Sequence, residues 1–241
     1  MRFAEIYNQG RPIFSLEFFP PRDPALLDNT LSLIKSLHAL GPDFMTCTYG
    51  AGGGTRALTR QIVSYMQNQL GATSVAHLTC VGHSVAELST VLDQLNAEGV
   101  QHVLALRGDP PKGTAAFEAH PEGLKNAREL VELITERQDF SIAVAGYPEG
   151  HREARSPQSE LEYLRSKVDA GAEVIFTQLF FDVDSFFRFV DNARRAGVSV
   201  PIVPGLMPLS SVSQLARFEE LFNVQVPSVA APILQTLKAS Y

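Results

Sequence analysis

The chain has 241 residues, of which 45% are hydrophobic and 19% are charged, a size and balance typical of a single α/β barrel domain. The net charge of −6 and the lack of a lysine- or arginine-rich run argue against a nucleic-acid partner, and no apolar run approaches the roughly 18 residues of a membrane span. The N-terminal residues lack the apolar region of a secretory signal, and the two cysteines, Cys47 and Cys80, have no CxxC spacing. We therefore expect a cytoplasmic protein without a metal site, in which both cysteines are small core residues.

In chain order, residues 1–12 are predicted to form an N-terminal helix or cap. Short segments rich in branched and aromatic residues then predict seven strands, at 13–18, 44–48, 75–79, 102–106, 141–145, 174–177 and 200–203. Between the strands, apolar residues recur at helical spacing, and a glycine such as Gly41 or Gly99 ends several of these runs. A glycine-rich loop at 50–54 leads into a helix predicted over 58–70, and the last clear helix carries Val212.

This alternation of strand and helix, at intervals of roughly 25 to 40 residues, is that of βαβ units. The strands are continuously apolar, which is typical of a parallel sheet covered by helices. A doubly wound open sheet is the alternative, but it usually carries a G-x-G-x-x-G sequence after its first strand, where this chain has Pro20-Pro21. We therefore predict an α/β fold of the (β/α)8 TIM-barrel type.

Active sites of such barrels lie on the face where the strands end. Polar or ionisable residues occur at six predicted strand ends: Glu17, Thr48 and Tyr49, His77, Arg107 and Asp109, Tyr147 and His151, and Gln178. Each alone has a purely structural alternative, since Glu17 could pair with an arginine such as Arg22 and His77 could be a core histidine. Arg107 and Asp109 could likewise pair with each other on the surface. Together, polar groups at six strand ends indicate an assembled site.

Several of these residues lie in longer sequence segments that occur in a fixed order. They are LEFFPPR at 16–22, TYGA at 48–51, HLTC at 77–80, LRGD at 106–109, AGYPEGH at 145–151, KVDAGA at 167–172 and TQLFFD at 177–182. In this order the chain resembles methylenetetrahydrofolate reductases of the bacterial, single-domain type, from about residue 15 to residue 227.

The resemblance implies a flavoprotein oxidoreductase of one-carbon metabolism and methionine biosynthesis, and we expect a homo-oligomer. FAD would lie across the C-terminal face of the barrel, NADH or NADPH would reduce it and leave, and 5,10-methylenetetrahydrofolate would then be reduced to 5-methyltetrahydrofolate in the same place. The positions that match flavin-contacting residues are Thr48, Tyr49, His77, Arg107, Gly108, Asp109, Tyr147, His151, Glu160 and Lys167. The positions that match folate-handling residues are Glu17, Asp109 and Gln178, with Glu17 and Asp109 as the catalytic pair.

Chemistry gives these residues distinct roles. Opening the imidazolidine ring of the folate requires a proton on N10, and a poorly solvated strand end beside aromatic residues would keep Glu17 in its neutral form. The opened substrate is an iminium cation, which an ionised Asp109 would stabilise. Gln178 offers a donor and an acceptor to the edge of a pterin. Arg107 and Lys167 could neutralise the pyrophosphate, or negative charge near N1 and O2 of the flavin.

The chain departs from the family pattern in three places. Glu160 stands where many members have Asp, and Val212 stands at a lid position that is Phe in a relative. Seven strands are predicted where the family barrel has eight, so we expect one flavin-binding domain over residues 1–241 that is truncated at its C-terminus and lacks the eighth strand. Two other functions stay open: a flavin- or pterin-binding barrel that serves as a binding or assembly subunit without turnover, and a flavin-free pterin-binding methyltransferase barrel.

Overall fold

The computed structural model describes residues 1–49, 55–110 and 117–209, together with positions 211, 214, 218, 224–227, 230 and 232–233. The glycine-rich loop at 50–54 and the lid position Val212 lie outside the described residues.

Strands and helices alternate along the described chain. The strands are β1 (Ser15–Phe18), β2 (Phe44–Cys47), β3 (Ser74–Thr79), β4 (His102–Leu106), β5 (Ser141–Gly146), β6 (Val174–Leu179) and β7 (Ile202–Gly205). The α-helices are α1 (Phe3–Tyr7), α2 (Leu27–His38), α3 (Arg56–Asn68), α4 (Val85–Ala97), α5 (Ala127–Arg137), α6 (Pro157–Asp169) and α7 (Val183–Arg195). A 3-10 turn at Pro24–Leu26 precedes α2.

The chain divides into two compact units. Unit 1 comprises Met1–Val144 and Ala170–Glu173, and unit 2 comprises Ala145–Asp169 and Val174–Tyr241. In unit 1, β1 to β5 follow one another in sequence order as parallel neighbours. In unit 2, β6 and β7 pair in parallel, with an irregularity between Phe176 and Leu179. Seven parallel strands alternating with helices, counted over the described residues, confirm the predicted α/β class as a TIM-barrel-like fold.

Strands β1, β6 and β7 differ by two residues from the predicted strands at one end or at both. β1 begins at Ser15 rather than at residue 13, because the Asp43 carboxylate already accepts a hydrogen bond from the backbone N–H of Phe14 (2.8 Å). β7 begins two residues late, because the Arg194 guanidinium binds the carbonyls at 198 and 200 and holds that stretch in the connection. β6 extends to Leu179, so Gln178 lies inside the strand rather than after it.

Helix α1 closes the N-terminal end of the unit 1 sheet. Phe3 is fully buried, and its ring meets Phe44 edge-on at 5.9 Å and His102 at 4.9 Å between centroids. The Phe3 N–H donates to Ser141 Oγ (2.9 Å), which in turn donates to the Glu173 carboxylate (2.7 Å). Burying a phenylalanine side chain contributes about 2–3 kcal/mol. The helix thus anchors the starts of β2, β4 and β5, and leaves the other strand ends for a site.

His102, the first residue of β4, is buried under this helix. Its Nε2 atom has no hydrogen-bond partner among the described residues. Burial, the dominant cause, lowers the pKa of His102 from 6.5 to about 4. A buried imidazole that stays neutral makes folding sensitive to acid.

We expect the free energy of unfolding to fall by about 3 kcal/mol as the pH is lowered through the interval between the unfolded and folded pKa values of His102. The free energy of unfolding falls at low pH because the unfolded state takes up a proton that the folded imidazole does not bind. Urea unfolding at a series of pH values would measure the slope. His102→Leu should flatten it between about pH 6.5 and 4, whereas His38→Leu on α2 should not. Equal slopes in the wild type and His102→Leu would contradict this assignment.

Candidate active site

The C-terminal ends of β1 to β4 lie at one edge of the unit 1 sheet, as parallel register requires. The hydrogen-bond ladder continues past the assigned strand ends. The Thr48 N–H donates to the Phe18 carbonyl (2.9 Å), and the Val81 N–H donates to the Arg107 carbonyl (3.0 Å). Thr48, the turn after β3 and Arg107 therefore lie side by side along this edge.

Glu17, Thr46 and His77 come from three neighbouring strands and meet at this edge. Glu17 lies opposite Thr46 in the β1–β2 register. The Thr46 hydroxyl donates to Glu17 Oε2 (3.4 Å) and lies 3.2 Å from His77 Nε2, which is 3.6 Å from the same carboxylate oxygen. Because Thr46 donates to Glu17, its oxygen accepts from His77, which puts the imidazole proton on Nε2.

The surroundings of this cluster differ from the closed, aromatic pocket expected from the sequence. The Glu17 side chain is 49% exposed, whereas the His77 side chain is 6% exposed. Burial lowers the pKa of His77 and outweighs the Glu17 carboxylate, which raises it. A neutral imidazole therefore lies against the carboxylate, and the Glu17 partner is His77 rather than an arginine such as the exposed Arg22.

The residues after β2 are held by α3 and by the turn after β3. The Thr48 carbonyl accepts a hydrogen bond from the Thr59 hydroxyl (2.9 Å). The Tyr49 hydroxyl lies 3.2 Å from His83 Nε2, and burial raises the pKa of Tyr49 to about 12. Sequence reasoning missed His83, since it follows no predicted strand end directly and is marked only by the Ser-x-x-Glu helix start beside it.

The segment after β4 depends on a glycine. Gly108 has φ = +90°, and a Cβ atom built there would lie 2.6 Å from Val81 Cγ1 and 3.0 Å from the Thr79 Cβ. Only glycine fits both this backbone conformation and this close approach. The Arg107 guanidinium lies 4.9 Å from the ring centroid of Phe117, and its Nε donates to the Gly108 carbonyl (3.3 Å). Asp109 follows as an exposed residue.

In unit 2, the turn after β5 and helix α6 hold a second group of predicted site residues. The rings of Tyr147 and His151 meet edge-on with centroids 4.7 Å apart. The backbone N–H of His151 donates to Glu160 Oε1 (3.0 Å). Lys167 is 4% exposed, and its Nζ donates to the Ala145 carbonyl (2.6 Å). The structure thus brings Glu160 to the turn that carries Tyr147 and His151.

Burial sets the charges in this group. It lowers the pKa of Lys167 to about 8, and the Glu160 carboxylate opposes this shift. It also raises the pKa of Glu160, against the hydrogen bond from His151 and the charge of Lys167. Lys167 is therefore still mostly cationic at neutral pH, although its side chain is only 4% exposed.

A cavity of about 520 Å³ lies in unit 2, lined by Tyr147, His151, Glu160 and residues of α7. Glu149 also lines it, and one carboxylate oxygen accepts from the Gln225 N–H (2.5 Å). The other oxygen, Oε1, is buried and has no partner among the residues that the structure describes. Gln178, on β6, accepts a hydrogen bond on Oε1 from the Leu179 N–H (2.9 Å), which leaves the amide NH₂ as its donor group.

Both cysteines are free and fully buried, as predicted, and burial raises the pKa of each thiol to about 12. Over the described residues, no group of three or more histidine, cysteine or carboxylate side chains is placed to hold a metal ion. Within the same ranges, none of the helices has the length and apolar character needed to cross a bilayer.

Comparison of the sequence with known proteins identifies its family. The profile of the methylenetetrahydrofolate reductase family matches residues 2–240. The chain is 40% identical to 5,10-methylenetetrahydrofolate reductase of Escherichia coli K12, over 95% of the chain and 75% of that protein. It is 38% identical to methylenetetrahydrofolate reductase (NADH) 1 of Arabidopsis thaliana, over 98% of the chain but only 42% of that relative's length.

Among solved structures, the fold resembles that of a Clostridium thermocellum protein described as binding two copies of 5-methyl-5,6,7,8-tetrahydrofolic acid. The TM-score is 0.64 with 16% identity, over 97% of this chain and 78% of that one, which establishes a likeness of fold alone. The family is established by sequence, because the family profile matches nearly the whole chain and the chain is 40% identical to the Escherichia coli enzyme. The chain therefore belongs to the methylenetetrahydrofolate reductase family.

Proposed function

We propose that this chain carries the catalytic site of an enzyme that reduces 5,10-methylenetetrahydrofolate to 5-methyltetrahydrofolate, with NADH or NADPH as the electron donor and FAD as the bound cofactor. The observation that carries the proposal is the cluster of Glu17, Thr46 and His77 at the strand-end edge of a chain of this family. The names of the relatives support the folate substrate, and the plant relatives' names support NADH.

Each unit, taken by itself, carries features that fit part of a flavin adenine dinucleotide. A dinucleotide needs a cation for its pyrophosphate, a close backbone approach and a hollow for its nucleoside end. In unit 1, Arg107 supplies positive charge and Gly108 supplies backbone without a Cβ. In unit 2, the mostly cationic Lys167 supplies positive charge and the cavity beside Tyr147 and His151 supplies a hollow.

Each unit carries residues that we propose to contact FAD. In unit 1 they are Thr48, Tyr49, His77, Arg107, Gly108 and Asp109, and in unit 2 they are Tyr147, His151, Glu160 and Lys167. When bound, FAD supplies hydride transfer from the nicotinamide to the folate.

The chain's own contribution to the folate reaction is proton transfer by Glu17. Its carboxyl group, half exposed, is accessible to a substrate, and the Thr46 hydroxyl fixes one oxygen. Burial lowers the pKa of His77, so the imidazole beside the carboxyl group is neutral. In the proposed reaction, Glu17 is the group that passes a proton to N10 of the folate, and protonation of N10 allows the bond from N10 to the bridging carbon to break.

The other folate-handling residues act on charge and orientation. Breaking that bond leaves an iminium cation at N5, and the carboxylate of the exposed Asp109 would stabilise it. The amide NH₂ of Gln178 would donate to an acceptor on the pterin edge, because its carbonyl oxygen is already engaged by the backbone of Leu179.

The absorption spectrum of the purified protein, recorded under anaerobic conditions, tests the proposal. We expect a flavin spectrum that is bleached by NADH or NADPH and restored by methylenetetrahydrofolate. A flavin-binding subunit without turnover would be bleached but not restored. A protein that remains colourless after incubation with FAD would contradict the flavoenzyme and favour a flavin-free pterin-binding barrel.

Glu17→Gln should slow reoxidation of the reduced flavin by methylenetetrahydrofolate by about 10²–10⁴-fold, the range for loss of a general acid. The amide cannot supply the proton to N10, but reduction of the flavin by NADH needs no such proton and should be unchanged. Stopped-flow absorbance of each half-reaction would measure both rates. Glu136→Gln on the exposed surface of α5 is the matched control. Equal losses in both half-reactions, or undiminished folate turnover, would refute the assigned role.

Asp109→Asn should weaken folate turnover by about 2–4 kcal/mol of transition-state stabilisation, because a neutral amide stabilises a cation poorly. It should also raise the reduction potential of the bound flavin, since a nearby negative charge is removed. Equilibration with a reference dye would measure the potential, with the exposed Asp191→Asn as control. An unchanged potential would place Asp109 away from the flavin ring.

A further inference from the structure

The turn after β3, residues 80–84, contacts the segments that follow β2 and β4 as well as the first turn of α3. The Val81 N–H donates to the Arg107 carbonyl (3.0 Å), and Arg56 Nη2 donates to the Gly82 carbonyl (3.1 Å). A Cβ atom at Gly123 would lie 2.3 Å from the His83 carbonyl oxygen, so the chain before α5 packs directly on this turn. The turn is therefore a fixed point for several strand-end segments of unit 1.

His83 is the buried side chain of this turn, at 1% exposure, and both of its ring nitrogens face a polar group. Nδ1 lies 3.2 Å from the Thr79 carbonyl oxygen, and Nε2 lies 3.2 Å from the Tyr49 hydroxyl. A carbonyl oxygen can only accept, so Nδ1 must carry a proton. In a neutral imidazole Nε2 is then an acceptor, and the Tyr49 hydroxyl must donate to it.

The protonation states of both groups agree with this direction. Burial, reinforced by the Arg56 guanidinium, lowers the pKa of His83. Burial raises the pKa of Tyr49 to about 12, so the phenol keeps its proton. A continuous chain of hydrogen bonds thus runs from the Tyr49 hydroxyl through His83 to the Thr79 carbonyl at the end of β3.

We propose that His83 is a positioning residue, which fixes the Tyr49 ring at the end of β2 through an Nδ1-protonated imidazole held by the Thr79 carbonyl. The consequence for the cofactor rests on the proposed function, because it takes Tyr49 as one of the residues that line the FAD site. His83 itself need not touch FAD.

The position of His83 explains why it can hold Tyr49 in place. The ring centroids of Tyr49 and His83 lie 5.9 Å apart, and the Val85 N–H donates to the Glu122 carbonyl (2.9 Å) just beyond. The chain at Gly123 packs directly on the backbone carbonyl of His83, and the side chain is 1% exposed, so the imidazole is enclosed by its surroundings. Without the imidazole acceptor, the largely buried phenol would have to turn toward water or leave its hydroxyl without a partner.

Nuclear magnetic resonance of the imidazole nitrogens tests the hydrogen-bond chain without any cofactor. We expect the His83 ring of the full-length chain, assigned by the signal lost in His83→Asn, to carry its proton on Nδ1 at neutral pH. Tyr49→Phe should shift the Nε2 resonance toward that of a free imidazole nitrogen and leave Nδ1 nearly unchanged. A proton on Nε2, or an Nε2 resonance insensitive to Tyr49→Phe, would overturn the proposal.

A double-mutant cycle on FAD affinity tests the positioning role. Tyr49→Phe and His83→Phe should each raise the dissociation constant of FAD by about fivefold, the effect of one neutral hydrogen bond. The double variant should lose no more than either single variant, because both remove the same contact. His38→Phe on α2 is the matched control and should leave the affinity unchanged.

The nitrogen resonances and the FAD affinities distinguish failure of the positioning role of His83 from failure of the proposed flavoenzyme function. Losses that multiply in the double variant, or a His83→Phe variant that binds FAD normally, would overturn the positioning role while leaving the flavoenzyme intact. If the wild-type chain binds no FAD, the proposed function fails. The nitrogen resonances, and a double-mutant cycle on the free energy of unfolding in urea with the same variants, still decide whether His83 holds Tyr49. In that case, additive losses of unfolding free energy in the double variant would overturn the positioning role.

Discussion

The parallel register of β1, β2 and β3 is the constraint on which the unit 1 site depends. Side chains of a strand alternate between faces, so a shift of one residue would send Glu17 to the opposite face from Thr46. In the observed register, the Thr46 hydroxyl lies within 3.4 Å of Glu17 and 3.2 Å of His77. Burial of the same strands lowers the pKa of His77, so the packing of the sheet also sets the charge of the imidazole beside Glu17.

Close packing also holds the strand-end segments of unit 1 in place. Gly108 brings the β4 segment against Val81 and Thr79, and the turn after β3 carries His83 to Tyr49. Backbone groups at these ends bind neighbouring backbone groups, such as the Thr48 N–H to the Phe18 carbonyl and the Val81 N–H to the Arg107 carbonyl. In unit 2, Lys167 and Glu160 depend in a similar way on the turn after β5.

The sequence allowed the fold class and most strand-end residues to be predicted, because strand and helix periods are local signals. It could not locate the start of β1, where the Asp43 side chain binds Phe14 from 29 residues away. It also missed His83, whose contact with Tyr49 forms only when the neighbouring strands β2 and β3 pair. Glu160 shows the same limit, since its hydrogen bond from the N–H of His151 joins α6 to the turn after β5.

In the proposed reaction, one site serves the nicotinamide and the folate in turn, and Glu17 acts only on the folate. Initial rates, measured with NADH varied at several fixed concentrations of methylenetetrahydrofolate, distinguish this order of events from binding of both substrates at once. We expect parallel lines in double-reciprocal plots, because the first product leaves before the second substrate binds. Intersecting lines would require both substrates on the protein at once and would refute the proposed reaction.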